Sequence, residues 1–194
     1  MEHQSQKQTI TTVIGTQVSI LGSLVVTMWA IEIADQVLFR QGLDRFGIRP
    51  RDLGGLWGIG VAPFLHGSLY HLIGNTVPFL VLGWLVMVRR VADFALVSLI
   101  SMVIGGLGTW LIGAAGSVHI GASGMIFGYL GYLLFRGFFE RSLGAIALSV
   151  AVALGYGSMV WGILPSNPYI SWEGHLFGFI GGIIAAKLLA EPRL

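Results

Sequence analysis

Three short stretches of this chain carry side chains of the types that acyl-transfer chemistry needs. His71 and Asn75 are four residues apart, so on a helix they share a face at a separation of about 6 Å. Ser123 lies in Gly121-Ala122-Ser123-Gly124, a hydroxyl flanked by bare backbone. Glu173-Gly174-His175 supplies an imidazole further along. A serine hydroxyl is a weak nucleophile until a base takes its proton. Neutral His175 is such a base, and it can return the proton to a leaving amine. A tetrahedral intermediate also needs donors for its oxyanion. Backbone N–H groups at a helix start are unpaired, and the side chains of Asn75 and His71 are further donors. Glu173 is two residues before His175 and falls on another helix face. The expected unit is therefore a Ser–His dyad and not a triad.

The elements that must position these groups follow from composition. The chain is 55% hydrophobic and 10% charged, against roughly 25% charged in an average soluble domain. Mean hydropathy is +0.81, and glycine fills 29 of 194 positions. A chain so poor in charge cannot cover its surface in water, which excludes an ordinary soluble domain, a disordered chain and a nucleic-acid binder. Eleven Lys and Arg against nine Asp and Glu leave a net +2, so the basic pI implies no anionic partner. With no cysteine, disulfides, thiolate metal sites and cysteine nucleophiles are excluded.

A spanning helix needs about 20 mostly apolar residues. Charges are missing from 8–31, from 53–88 apart from two His, from 94–135 apart from His119, from 142–172, and from 174–186 apart from His175. The small-residue run 113–121 splits the third gap, and Pro165-Ser166-Asn167-Pro168 marks a loop. The reading is an all-α polytopic membrane protein. It forms one domain over 1–194, with helices near 11–33, 70–89, 93–114, 122–139, 143–164 and 172–190. A short tail, 1–10, precedes them. The first apolar run is too long for a signal-peptide core of about 7–15 residues, so it is taken as a retained helix. The segment 34–69 is long and mixed in character, which predicts an interfacial helix lying on the bilayer.

With the N-terminus inside, the inner segments hold Lys7, Arg89, Arg90, Arg136, Arg141, Lys187 and Arg193. The outer ones hold Arg40, Arg45, Arg49 and Arg51. The positive-inside rule favours that orientation. The second, fourth and sixth helices then enter from the outer side. His71 with Asn75, Ser123, and His175 all lie in their first turns, at one shallow depth. Polar groups in hydrocarbon are costly and mark a functional site by default. Gly128 and Gly131 in the fourth helix, and Gly174, Gly178, Gly181 and Gly182 in the sixth, allow the close approach that a Ser–His hydrogen bond needs.

These motifs resemble the rhomboid intramembrane serine proteases. His66-Gly67-Ser68-Leu69-Tyr70-His71-Leu72-Ile73-Gly74-Asn75 is similar to that family's His-x4-His-x3-Asn element. Gly121-Ala122-Ser123-Gly124 is similar to its Gly-x-Ser-Gly motif, and His175-Leu176-Phe177-Gly178 with Gly182 to its His-x2-Gly-x3-Gly element. The agreement covers about residues 45–190. It implies a six-helix bundle with a long outer loop between the first two helices and a water-filled cavity opening outward. It implies Ser123 as nucleophile, His175 as general base, Asn75 and His71 at the oxyanion, and Gly121 shaping that loop. It implies cleavage of single-span membrane proteins, which enter sideways past the fifth helix and the loop near 165–171. No cofactor, metal or nucleic acid is expected. Trp57 is followed by Gly58 where some members carry Trp-Arg, so a role for that pair does not transfer. With no further domain or seventh helix, the expectation is the minimal bacterial-type form, in the inner membrane with both termini cytoplasmic.

Plainer readings stand beside these. Gly178 and Gly182 are packing residues first, Gly124 belongs to the motif, and His66 ties down its loop. His119, four before Ser123, reads as solvated or structural. Glu32 and Asp35 face headgroups or the loop. The rival from another class is a catalytically inactive relative that binds membrane helices as an adaptor or chaperone, and the presence of both Ser123 and His175 argues against it. A zinc protease would need His-Glu-x-x-His, and an aspartyl one two mid-helix Asp. Neither is present.

Overall fold

The computed structural model describes residues 2–167 and 170–190. Among them the regular structure is helical, apart from one isolated bridge between Ile48 and His119. Helix α1 (Glu2–Ala34) starts well before the predicted residue 11. Gln, Lys and Glu are good helix formers, so the helix runs back through the polar stretch read as a tail, while its apolar span begins at Ile10. It ends in a π turn, Asp35–Phe39, followed by Arg40 and Gln41 in the left-handed region at φ 52° and 62°.

The segment 40–68 differs from the single interfacial helix that its composition predicts. It folds as short 3-10 turns at Asp44–Phe46, Leu53–Trp57 and Ala62–Phe64 around a one-turn helix, α2 (Gly58–Val61). Glycine at 47, 54, 55, 58 and 60, with Pro50 and Pro63, cannot sustain one helix. Gly58 also lies against backbone: a Cβ there would overlap Gly47 and Ile48. Leu53 and Trp57 stand out from the protein, Trp57 at 84% exposure.

The remaining helices start and end within two residues of expectation, except that the helix predicted over 143–164 leaves α geometry at Tyr156 and reaches Ile163 as a 3-10 turn. They are α3 (Leu69–Met87), α4 (Val91–Ile112), α5 (Ser123–Glu140), α6 (Leu143–Tyr156, continued as a 3-10 turn, Gly157–Ile163) and α7 (Trp172–Leu189). Ser68 and Ser142 cap α3 and α6 by accepting from the N–H of His71 and Ala145. Pro168 and Tyr169, inside the predicted loop before α7, lie outside the described residues, as does Arg193.

Among the described residues four stretches are long and apolar enough to cross a membrane: Ile10–Phe39, Leu69–Met87, Val91–Ile112 and Leu143–Ile163. α5 and α7 are the central helices, and their apolarity is lower for that reason. α5 is buried continuously from Met125 to Leu133, so it faces protein instead of lipid. α7 carries Glu173, His175 and Lys187 among four glycines. The two helices touch backbone to backbone. A Cβ on Gly178 would overlap the carbonyl of Gly124, one on Gly182 that of Gly128, and one on Gly131 that of Phe179. α4 covers the other side of α7, where Gly105 meets the Gly178 backbone and Gly108 the Phe177 ring. Leu72, Phe79, Leu82, Phe94, Val97, Tyr129 and Leu130 fill the core between α3, α4 and α5.

At the far ends of α3, α5 and α7 the charges are paired. The Arg89 guanidinium donates to Glu140 at 2.8 Å and to the Leu189 carbonyl at 2.6 Å, and Arg136 donates to Glu140 at 2.8 Å. Buried Asp93 accepts from Arg90 at 3.1 Å. Groups this enclosed persist only when hydrogen-bonded. The network ties these helix ends together and leaves the opposite, N-terminal ends to form the site.

Candidate active site

Ser123 is the first residue of α5, and the turn before it is set by Gly121. That glycine sits at φ 108°, where an L side chain is strained, and its N–H donates to the Ala62 carbonyl at 2.8 Å. A Cβ at Gly121 would also lie 2.7 Å from the His71 ring. The position thus requires glycine twice over, for its dihedral and for the approach of His71.

The Ser123 hydroxyl and the His175 Nε2 are 2.8 Å apart. His175 Nδ1 faces the Gly162 carbonyl at 2.9 Å. A carbonyl only accepts, so Nδ1 carries the ring proton and Nε2 is the bare acceptor. The Ser123 O–H therefore donates to Nε2, the polarity a general base needs. The imidazole also lies flat on Phe127, with ring centroids 4.1 Å apart and planes within 9°, and is 9% exposed. The glycine contacts of Gly124 with Gly178 set the helix spacing that brings the two groups together.

His71, Asn75, Ser123 and His175 line one cavity of about 900 Å³. The Asn75 amide donates one N–H to the His71 carbonyl at 3.0 Å and retains a second. His66 is not part of the lining. It is 1% exposed and meets His71 edge-on at 5.1 Å. Burial, with His71 adjacent, pushes its pKa down to about 4, so it packs as a neutral ring. Glu173 does not touch the dyad. Glu32 and Asp35 turn to the protein, accepting from Gln36 at 2.7 Å and from the Leu43 N–H at 2.9 Å.

Sequence reasoning missed Gly162, Phe127, Ser68 and Ser171. Phe127 had a usable signal, because it lies four residues after Ser123 and shares its face. A carbonyl contributed by Gly162 leaves no side-chain trace in sequence. His119, read as solvated or structural, is half-buried and bonds at both ring nitrogens.

An all-α bundle of apolar helices with a serine and a histidine hydrogen-bonded to each other in the wall of one cavity defines a class of membrane protein. The Rhomboid domain family matches residues 53–192, and the chain belongs to that family. It is 41% identical over 179 residues to the uncharacterized protein Rv1337 of Mycobacterium tuberculosis, covering 88% of this chain and 74% of that one. It is also 41% identical over 174 residues to the uncharacterized protein ML1171 of Mycobacterium leprae, covering 86% and 68%. Rhomboid protease GluP of Bacillus subtilis is 31% identical over 163 residues, which is 78% of this chain and 30% of GluP. With its four apolar helices, the chain is an integral membrane protein of the rhomboid family.

Proposed function

We propose that the protein is an intramembrane serine endopeptidase that hydrolyses peptide bonds in or near the transmembrane segments of single-span membrane proteins. The Ser123–His175 hydrogen bond, with its fixed proton arrangement, carries this assignment. Ser123 Oγ attacks the scissile carbonyl as Nε2 of His175 takes its proton. The oxyanion forms beside the free N–H of Asn75, the His71 ring and the start of α5. Collapse expels the amine, which takes the proton back from Nε2, and leaves an acyl-Ser123. Water then enters the cavity and attacks the acyl carbon as the same nitrogen takes its proton, and collapse breaks the bond to Oγ, releases the acid and returns that proton to Ser123.

The proposal includes six spans, α1 and α3 to α7, in a bacterial inner membrane with both termini cytoplasmic and the cavity near the outer face. α7 and α5 cross inside the ring of the other helices, which offsets their lower apolarity. Substrate enters sideways past α6 and the loop near 165–171. The runner-up is an inactive adaptor that holds membrane helices in the same cavity.

A fluorophosphonate reagent with mass-spectrometric site assignment tests this without a known substrate. Label is expected on Ser123 in the wild-type chain, and none in Ser123→Ala or His175→Ala. Equal labelling of His175→Ala overturns the dyad. A chain that takes no label and co-purifies with uncut substrate is the adaptor.

A further inference from the structure

The Ser123–His175 contact has a counterpart with the residue types exchanged. His119 Nδ1 lies 2.7 Å from the Ser171 hydroxyl. Residue 119 is four before Ser123 and residue 171 is four before His175, so both pairs span 52 positions and join the same two segments. The second contact sits at the mouth of the site, one helical turn up α7.

Its proton arrangement is also fixed. The Ser117 hydroxyl donates to the Ala114 carbonyl at 2.6 Å, so it can only accept from His119 Nε2, 2.7 Å away. Nε2 then holds the ring proton, and Nδ1 accepts from Ser171. His119 is anchored through its backbone as well, exchanging both N–H···O bonds with Ile48 at 2.9 Å.

Ser171 holds the N-cap position of α7, yet its side chain makes no capping bond. Serine at a helix N-cap ordinarily accepts from the N–H groups of the first turn. Here the hydroxyl points to His119, while the Ser171 carbonyl accepts the His175 N–H at 3.1 Å. The residue that begins the turn carrying His175 is thus held from the loop that leads into Ser123. On the inner side of the dyad, the glycine contacts of α5 with α7 set the spacing. On the mouth side, His119 and Ser171 join the two segments.

We propose that His119 is a positioning residue for the Ser123–His175 pair, acting through the Ser171 hydroxyl to fix the first turn of α7 against the loop that delivers Ser123. It rests on the dyad proposed above. His119 takes no proton in the reaction: its ring is held between two serines, and Ser123 already donates to His175.

The test uses the full chain in detergent and measures the rate of fluorophosphonate labelling at Ser123, with thermal unfolding alongside. His119→Ala and Ser171→Ala are each expected to slow labelling about tenfold, the scale of one lost hydrogen bond. The double variant is expected to be no slower than the slower single, since both remove one contact. Ser171→Thr, which keeps the hydroxyl, is expected to restore most of the rate, and the pH midpoint of labelling to stay unchanged in His119→Ala. Unchanged rates in both single variants overturn the proposal, as do multiplicative losses or a shifted pH midpoint. Label on Ser171 in the wild-type chain would make the second pair a nucleophile of its own and overturn it too. Rate losses matched by a collapse in Tm of both Ser171→Ala and His119→Ala would reduce the contact to a fold anchor and overturn it. If wild-type Ser123 takes no label at all, the dyad itself has failed, an outcome distinct from every variant result above.

Discussion

The Nδ1 proton of His175 is held by the main-chain carbonyl of Gly162 at 2.9 Å, in the 3-10 turn that extends α6. The group that selects the tautomer is therefore part of the backbone, and no acid side chain takes that role. Glu173→Gln is expected to leave Ser123 labelling within about twofold of wild type, since it removes a charge that does not touch the dyad. A loss of 100-fold would mean that a carboxylate assists the histidine after all.

Gly162 is also a steric constraint. A Cβ there would lie 2.8 Å from the Phe127 ring tip and 3.5 Å from His175 Nδ1. Gly162→Ala is expected to push Phe127 off the imidazole and lower the cleavage rate about tenfold, as expected when a reacting pair is misplaced. Cleavage of a single-span substrate by Gly162→Ala at the wild-type rate would show that the stacked arrangement is dispensable.

In the proposed mechanism Asn75 donates to a developing charge and takes no proton. Asn75→Ala is expected to lower kcat by about 10²–10³ with little change in KM, the range seen when an oxyanion donor is removed. Ser123→Ala should lose more than that. A kcat as low as that of Ser123→Ala would assign Asn75 a different role.

Asp44 gives a pH dependence outside the spans. Burial, with Asp35 and Glu32 nearby, pushes its pKa up to about 6. The native state thus keeps a proton that the unfolded chain releases at lower pH. The stability this contributes is full below pH 3.8, the ordinary value, and is lost as pH rises through about 6. Asn mimics the protonated form, so Asp44→Asn should raise Tm more at pH 8 than at pH 4. An equal shift at both pH values would disprove the titration.

The helices after the first were legible in sequence because charge gaps and a few turn residues delimit them. The trio His71, Ser123 and His175 was legible because each opens a helix. The segment 40–68 was not, because its amphipathic composition suggests a helix while its glycines and prolines break one, and only contacts such as Gly58 against Gly47 show how it packs. The first helix was underestimated because apolarity was taken as its limit, although polar helix formers extend it to Glu2. The carbonyl of Gly162 and the diverted cap of Ser171 were invisible, since a main-chain acceptor and a hydroxyl's choice of partner leave no residue pattern.

The seam of glycines between α5 and α7 has a genetic consequence. Where side chains interlock, an enlarged residue can be rescued by trimming its neighbour. Between Gly178 and the Gly124 carbonyl there is nothing to trim. A Gly178→Ala lesion should therefore yield no compensating change across the joint, and any suppressor would have to arise elsewhere and make a wider gap tolerable.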